Sequence, residues 1–253
     1  MRFVKEFRLL FVRSVFGSLR NPVWLFLGLF QPALYLLLFA PLLGGLGNVP
    51  GFPPGGAYAV FTPGLLVMVA LYSTAFAGFG LVDQIRSGLV ERLLVTPASR
   101  MAILLGYVVR DVVTLLVQAG ILIGLALIMG LKVSLPGLLV SFAMVVLTGT
   151  LMASCSYALA LLLRREDSLA SVINTVATPL LLLSGITLPL SLAPKIIRSI
   201  ASVNPLSYEV TAGRALFQGN FTDSAIVVGI LFLVGLTALS FVWAARSFRR
   251  GAA

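Results

Sequence analysis

The sequence predicts an all-α integral membrane protein with six transmembrane helices. Of its 253 residues, 59% are hydrophobic and only 10% are charged, whereas a soluble domain carries about 25% charged residues. The mean hydropathy of +1.08 points the same way. Six apolar blocks match the roughly 20 residues that a helix needs to cross a bilayer. We therefore expect lipid, rather than water, to surround most of the chain.

The apolar blocks define one transmembrane domain over residues 1–253. Residues 21–82 contain no charged side chain, and a Gly/Pro-rich stretch at 44–63 divides them into two spans. A cytoplasmic loop at 83–100 joins spans two and three, and an external element at 191–223 joins spans five and six. The six predicted spans are about 23–43, 62–82, 103–130, 136–163, 169–190 and 224–245.

The first 20 residues predict an amphipathic helix that lies along the membrane surface. At 100° per residue its apolar side chains form one stripe, and most of its charges lie off that stripe. A solvated helical leader is the alternative. The basic residues also interrupt the place where a signal peptide would have its apolar core, so we expect no signal peptide. The stripe consists of Phe3, Val4, Phe7, Leu10, Phe11 and Val15.

The lysines and arginines predict the orientation of the chain. With the N-terminus inside, 13 of them lie in the cytoplasm and 4 lie outside, with Arg110 left uncounted near a membrane edge. Basic residues concentrate on the cytoplasmic side of membrane proteins. We therefore expect a multi-pass protein of the cell (plasma or inner) membrane with both termini in the cytoplasm. The same distribution accounts for the net charge of +10 without nucleic-acid binding.

The residue types exclude most site chemistry. There is no histidine, and the one cysteine, Cys155, lies in an apolar block. Ser-His and Cys-His catalysis, an intrachain disulfide and a thiol-based metal site are therefore excluded. The chain also lacks a phosphate-binding loop of the form GxxxxGKS or GxxxxGKT, so we expect it not to hydrolyse ATP. We expect no catalytic residue, no metal and no cofactor on this chain.

A polar segment between spans two and three reads DQIRSGLVERLLVTPASR, from Asp83 to Arg100. Its centre, Leu89–Val95, is compatible with a short helix that Thr96 and Pro97 would end. A short amphipathic helix on a cytoplasmic loop can dock into a groove on a partner protein. An ordinary polar loop is the alternative.

The segment Leu188–Asn220, LPLSLAPKIIRSIASVNPLSYEVTAGRALFQGN, is too apolar for a free loop and too interrupted for a span. Asn204 and Pro205 are expected to break it, with a second short helix at 207–217. Irregular backbone at membrane depth must be shielded by protein or face a wet cavity. The pattern therefore predicts a pair of re-entrant or interfacial helices outside.

Two adjacent charged residues, Arg110 and Asp111, interrupt the third span. An ionisable residue at the centre of a membrane helix costs roughly 2.5–3.5 kcal/mol. Because adjacent positions on a helix do not face each other, we do not expect a tight ion pair. Two interpretations stay open. Either the span projects into the cytoplasm with Asp111 meeting another helix, or the two residues form a polar site for a substrate.

These segments resemble segments of a known family of membrane proteins. GLVERLLVTPASR, Gly88–Arg100, is similar to the cytoplasmic coupling helix of the permease subunits of type-2 ABC exporters, particularly those of the daunorubicin-resistance kind. Ser184–Asn220 is similar to that family's proline-marked end of span five, its re-entrant helices and its Asn-Pro-Leu-Ser/Thr-Tyr turn. The basic N-terminal helix and the topology also agree, along nearly the whole chain.

The resemblance implies an ATP-driven permease. A separate ABC ATPase subunit would bind ATP and Mg, and two copies of the permease, as a homodimer, would assemble with two ATPases in the membrane lipid. The cargo would be a hydrophobic or amphipathic solute, such as a drug, antibiotic or lipid, exported from the cytoplasm or the inner leaflet. A polysaccharide or lipid-linked glycan exporter, an ion-coupled secondary transporter and an assembly subunit are the alternatives.

The resemblance also implies three sets of site residues. The third set is a candidate substrate path. Hydrogen bonding between helices is the alternative explanation for its polar members, and helix packing is the alternative for its aromatic members. The coupling set is Gly88, Glu91, Arg92, Leu93, Leu94, Thr96, Pro97 and Arg100. The external set is Pro189, Pro194, Asn204, Pro205, Tyr208 and Arg214. The candidate substrate path is Phe30, Tyr35, Phe39, Tyr72, Phe76, Asn174 and Thr178.

Overall fold

The computed structural model describes residues 22–44, 56–88, 100–186 and 193–250. Every regular element in these ranges is a helix, which confirms the all-α class for the described part of the chain. The amphipathic helix at 1–20, the coupling residues at 89–99 and Pro189 lie outside the described residues. In chain order the helices are α1 (Pro22–Gly44), α2 (Gly56–Ala75), α3 (Gly78–Arg86), α4 (Arg100–Ile128), α5 (Leu135–Leu163), α6 (Glu166–Leu182), α7 (Lys195–Ala201), α8 (Pro205–Phe217) and α9 (Ser224–Arg250).

Four helical stretches in the described ranges are long and apolar enough to cross a membrane. The side chains described in α1 run continuously only from Gly28 to Phe39, and α6 has 17 residues against the roughly 20 of a full span. The protein is therefore a membrane protein by length and composition, and the count of six spans stays a prediction. The four stretches are Gly56–Arg86, Met101–Ile128, Leu135–Leu163 and Ser224–Arg249.

The second predicted span is longer than the sequence suggested and is broken. It begins at Gly56, six residues before the predicted start, and continues through Pro63, because membrane helices tolerate proline where neighbouring groups satisfy the freed backbone. A turn at 76–77 separates α2 from α3. Ser156 of α5 holds this turn: its Oγ accepts from the Gly78 N–H at 2.9 Å and donates to the carbonyl of Ala75.

The α5 helix lies at the centre of the bundle and packs against α2, α3, α4, α6, α8 and α9. Two of its neighbours, α3 and α8, each approach α5 so closely that a side chain would not fit at the point of contact. A Cβ added at Gly78 would lie 2.6 Å from the carbonyl oxygen of Ser156, and one added at Gly137 would lie 2.5 Å from that of Leu216. These contacts set α3 at one end of α5 and α8 at the other.

The buried core has two clusters along the bundle. The larger one joins residues of α1, α2, α4, α5, α6, α8 and α9. The smaller one joins α3 to the first half of α4, the second half of α5, the start of α6 and the end of α9. The smaller cluster lies beside the end of α3 and the start of α4, on the side that the sequence predicts to be cytoplasmic. The described part of the bundle therefore has two separate hydrophobic cores.

Candidate functional site

The external motif begins with Asn204, which starts α8 and ties it to α6. Its side-chain oxygen accepts from the Leu206 N–H at 3.0 Å, and its amide nitrogen donates to the carbonyl of Leu180 at 2.7 Å. Pro205 occupies the first helical position, where a missing N–H costs nothing. The second helix therefore starts at Pro205, two residues before the predicted 207.

Arg214 anchors the other end of α8. Its side chain is buried, with Nε donating to the carbonyl of Val60 at 2.9 Å and Nη2 donating to the carbonyl of Gly185 at 2.6 Å. One planar guanidinium thus joins α8 to α2 and to the turn after α6. Burial lowers the pKa of Arg214 to about 10, so the side chain stays protonated at neutral pH. Gly213 beside it lets α8 approach Pro63.

The remaining members of the external set lie around α7. Pro194 directly precedes α7. The hydroxyl of Tyr208 donates to the carbonyl of Ser202 at 2.8 Å, and its ring lies 5.3 Å from that of Phe232 on α9. These bonds fold the connection between α7 and α8 back onto the bundle. The structure therefore brings Asn204, Pro205, Tyr208 and Arg214 into one docked element.

Glu209 is a buried carboxyl in this element that the sequence reasoning did not single out. The hydroxyl of Thr148 on α5 donates to its Oε2. Burial raises the pKa of Glu209 to about 8, and the Thr148 hydrogen bond opposes that rise. A single carboxylate within the largely apolar segment LSYEVTAGRALF was the available signal.

A second polar cluster lies at the other end of the bundle, and it corrects one prediction. Arg110 and Asp111 do form a close pair, with Arg110 Nη2 at 2.8 Å and Nε at 2.9 Å from Asp111 Oδ1. The helical-spacing rule concerns Cβ directions, whereas the long arginine side chain can curl towards its neighbour. Tyr157 of α5 completes the cluster, since its hydroxyl donates to Asp111 and accepts from Arg110. Asp111 thus meets another helix, as one interpretation held.

The cluster continues towards the predicted coupling loop. The guanidinium of Arg110 lies 5.6 Å from the ring centroid of Tyr107, a cation–π distance. The hydroxyl of Tyr107 donates to the side chain of Gln84 on α3. A continuous set of contacts therefore runs from α5 through α4 to α3.

The described edges of the coupling segment are Gly88 and Arg100. Gly88 follows α3 with a φ of +69°, a conformation that favours glycine, and Arg100 begins α4. Just before this segment, Arg86 forms an exposed ion pair with Glu166 of α6 at 3.2 Å. The end of α3 is thereby linked to the first turn of α6. Glu91, Arg92, Leu93, Leu94, Thr96 and Pro97 lie outside the described residues.

The candidate substrate-path residues fall into separate groups. The rings of Tyr35 and Phe39 lie 5.0 Å apart on α1, and Tyr72 of α2 hydrogen-bonds to the side chain of Gln31. Phe30, also on α1, is half exposed. Phe76 instead packs into the smaller core cluster beside Phe79.

The two polar residues of this set lie on the exposed face of α6, within a longer polar stripe. Four side chains at spacings of 3, 4 and 7 residues are all exposed there: Ser171, Asn174, Thr175 and Thr178. Thr178 Oγ1 donates to the carbonyl of Asn174, whereas the Asn174 amide group has no partner in the described ranges. The helical spacing was visible in the sequence, although the burial of the opposite face was not. In the described part of the chain, α1 packs mainly against α2 and α4, whereas α6 packs mainly against α5, α3 and α2.

Comparison with known proteins assigns the chain to a family. Residues 5–218 match the family model described as ABC-2 type transporter. The chain is 30% identical over 234 residues to a protein of Pyropia yezoensis named as a candidate transport permease, ycf38, covering 89% of this chain and 79% of that one. It is 29% identical over 218 residues to the protein of the same name from Cyanophora paradoxa, covering 85% and 75%.

A third relative is the daunorubicin resistance ABC transporter permease protein DrrB1 of Streptomyces coeruleorubidus. It is 27% identical over 222 residues, which cover 85% of this chain and 77% of the relative. Because the family match spans most of the chain and agrees with the apolar helices, the resemblance stated above is confirmed. The chain belongs to the ABC-2 type transporter family, as an integral membrane permease of an ABC transporter whose family implies an ABC ATPase partner.

Proposed function

We propose that this permease is half of the membrane part of an exporter that moves a hydrophobic or amphipathic solute out of the cytoplasm or the inner leaflet. Two copies of the chain form the membrane part, and two copies of a separate ATPase bind ATP and Mg and drive it. Both termini lie in the cytoplasm, on the side of the 13 basic residues counted above.

The polar stripe on α6 is the observation that carries this proposal. Lipid offers no partner to an amide such as that of Asn174, and an unsatisfied polar group in hydrocarbon costs several kcal/mol. The exposed stripe is therefore expected to face a wet path or a second protein surface. A second copy of the chain, placed against α1 and α6, would supply the second protein surface and would enclose a wet path between the two copies.

A force path from the ATPase can be followed through described contacts. Movement of the coupling segment would act on α3, which is linked to α6 by Arg86 and Glu166 and to α4 by Gln84 and Tyr107. ATP can drive transport only if it stabilises one arrangement of these helices over another. The break between α2 and α3 is the point at which α3 would move relative to α2, and the bonds of Ser156 to this turn would carry that movement to α5.

The cargo class rests on the relatives and on the aromatic residues. DrrB1 carries daunorubicin resistance in its name, which favours a bulky hydrophobic solute over a glycan. Tyr35, Phe39 and Tyr72 offer aromatic faces where α1 meets α2, and the two tyrosines add hydroxyl groups. Asp111, the carboxylate within the predicted spans, is held by Arg110 and Tyr157, and this disfavours an ion-coupled carrier that uses Asp111.

We expect Arg92→Ala to uncouple ATP hydrolysis from export. The permease and its ATPase are co-reconstituted in liposomes, and ATP hydrolysis and solute movement are measured together. Arg92→Ala should keep ATPase binding and hydrolysis but lose most transport per ATP, because its side chain lies in the predicted coupling helix. Lys132→Ala, an exposed basic residue predicted outside, is the matched control and should behave as wild type.

Each outcome of that experiment has a separate meaning. Normal export by Arg92→Ala would remove Arg92 from the coupling set. Export by wild type that persists without the ATPase would contradict the proposed function itself.

We expect a cysteine on the α6 stripe to be reached by water. In a Cys155→Ala background, Thr178→Cys should react several-fold faster with a charged maleimide than Leu231→Cys, because the thiolate that reacts needs solvent. Leu231 is a suitable control, being 68% exposed on the apolar helix α9. The labelling is done on the assembled transporter in membrane vesicles. Equally slow labelling of both positions would place the stripe against lipid or packed protein.

A further inference from the structure

A small cavity lies where α8 docks onto α2 and α5. It has a volume of about 10 Å³, which is at the lower limit of the space that one water molecule requires. Its lining is apolar except for two side chains, Glu209 and Ser141. The apolar lining residues are Pro63, Leu66, Val67, Met144, Val145 and Gly213.

Both polar groups that line the cavity lack a hydrogen-bond partner in the described ranges. They are Oε1 of Glu209, which is 3% exposed, and Oγ of Ser141, which is 4% exposed. Buried polar atoms are normally paired with protein or with ordered water. Two such atoms at one water-sized cavity, on two different helices, indicate a shared ligand.

The surroundings of Glu209 also decide its protonation state. Its one hydrogen-bond partner among the described residues is the hydroxyl of Thr148. An isolated ionised carboxylate is very costly in an apolar site, so the group takes a proton instead. The raised pKa of Glu209 described above has this same cause.

Among the residues that the structure describes, no facing charge offsets that cost. The titratable groups on α2 and α5 are Tyr58, Tyr72, Cys155 and Tyr157, and none of them lines the cavity. Residues 224–245 of α9 contain no titratable side chain. On α8 itself, Arg214 is bonded to the carbonyls of Val60 and Gly185, and Tyr208 to the carbonyl of Ser202.

We propose that protonated Glu209 and one ordered water molecule form a binding site that fastens α8 to α5. The Glu209 hydroxyl donates to the water, the water donates to Ser141 Oγ, and Thr148 donates to the other carboxyl oxygen. Loss of the proton leaves an unpaired negative charge at the contact between α8 and α5 and weakens the docking of α8. The predicted external element is thereby held by a proton, a role separate from the proposed cargo or ATPase coupling.

The test compares the pH dependence of stability in wild type and Glu209→Gln, measured by equilibrium unfolding of the purified full chain in detergent. Because the folded pKa of about 8 exceeds the ordinary 4.5, the folded state holds a proton that the unfolded state loses. Wild type should therefore lose stability as pH rises from about 5 to 8, with the unfolding constant growing by up to about tenfold per pH unit relative to Glu209→Gln. Glu166→Gln, an exposed carboxyl on α6, should keep the wild-type slope.

Further measurements keep the proposal open to refutation. Ser141→Val, which fills the cavity and removes one water ligand, should lower stability at pH 6 while keeping the pH slope. A density map of the assembled transporter that shows ordered water should contain one solvent peak between Glu209 Oε1 and Ser141 Oγ. Parallel pH slopes for wild type and Glu209→Gln, or a well-defined Glu209 without that peak, would overturn it. Stabilisation of wild type alone by Na⁺ at constant pH and ionic strength would also overturn it, in favour of a cation site.

Discussion

Replacing Arg214 by methionine is expected to destabilise the chain by about 3 kcal/mol or more, because it removes two hydrogen bonds from a charged group, each worth about 1.5–3 kcal/mol. The loss is larger than that of an ordinary surface arginine for a structural reason. The two carbonyls that Arg214 contacts, of Val60 and Gly185, belong to different segments. Removing the guanidinium leaves both acceptors buried and removes the bonds of α8 to α2 and to the turn after α6.

The measurement is equilibrium unfolding of the purified chain in mixed micelles, with Arg198→Met as the matched control. Arg198 is exposed on α7 and donates to one nearby carbonyl, that of Ala193, so its replacement should change stability by less than about 0.5 kcal/mol. Arg214→Lys should recover only part of the loss, because a lysine ammonium lacks the planar fork that reaches two acceptors.

These variants test whether Arg214 holds α8 in its docked position. Equal effects of Arg214→Met and Arg198→Met would show that α8 does not depend on its anchor. Full recovery by Arg214→Lys would show that the charge, rather than the two-way geometry, is what matters.

Local features of the fold were predictable, and long-range contacts were not. The sequence predicts a break at Asn204 and Pro205 with a second helix from residue 207, and the structure starts α8 at Pro205, two residues earlier. By contrast, Arg214 and Val60 lie 154 residues apart, and Thr148 and Glu209 lie 61 apart. Their meeting depends on the rotation of each helix, and a nearly uniform apolar sequence carries no signal for rotation.

Two departures from the predictions have specific physical causes. The Gly/Pro-rich stretch was expected to extend to residue 63, yet the helix runs through Pro63 because a membrane bundle can satisfy the groups that proline leaves free. The turn between α2 and α3 depends on Ser156, a residue that lies 78 positions from Gly78. No pattern within residues 56–86 could have indicated that turn.

Replacing Asp111 by alanine is the second substitution with a large expected effect, a loss of about 3–5 kcal/mol. Asp111 is 8% exposed, and its carboxylate is the acidic partner of Arg110. Removing one partner of a buried pair leaves an uncompensated charge, whereas replacing both by apolar residues of similar size is often close to neutral. The double variant Arg110→Met/Asp111→Leu should therefore be more stable than Asp111→Ala alone.

The comparison needs an exposed ion pair as its control, and Arg86 with Glu166 provides one. Their side chains are 52% and 40% exposed, so Glu166→Ala should cost less than about 1 kcal/mol. Tyr157→Phe should lie between the two, because it keeps the ion pair and removes one hydroxyl that bridges Arg110 and Asp111. All four variants are measured by the same equilibrium unfolding.

The same set of variants separates the two roles that the sequence left open for this pair. If the pair serves to hold α4 against α5, stability should fall in Asp111→Ala and recover in the double variant. Transport should then recover together with stability. A polar substrate site requires transport to stay lost in the double variant although stability has recovered. The contacts of Asp111 with Arg110 and Tyr157 use both of its carboxyl oxygens. We therefore expect the first result, because a carboxylate engaged on both oxygens has little capacity left for cargo.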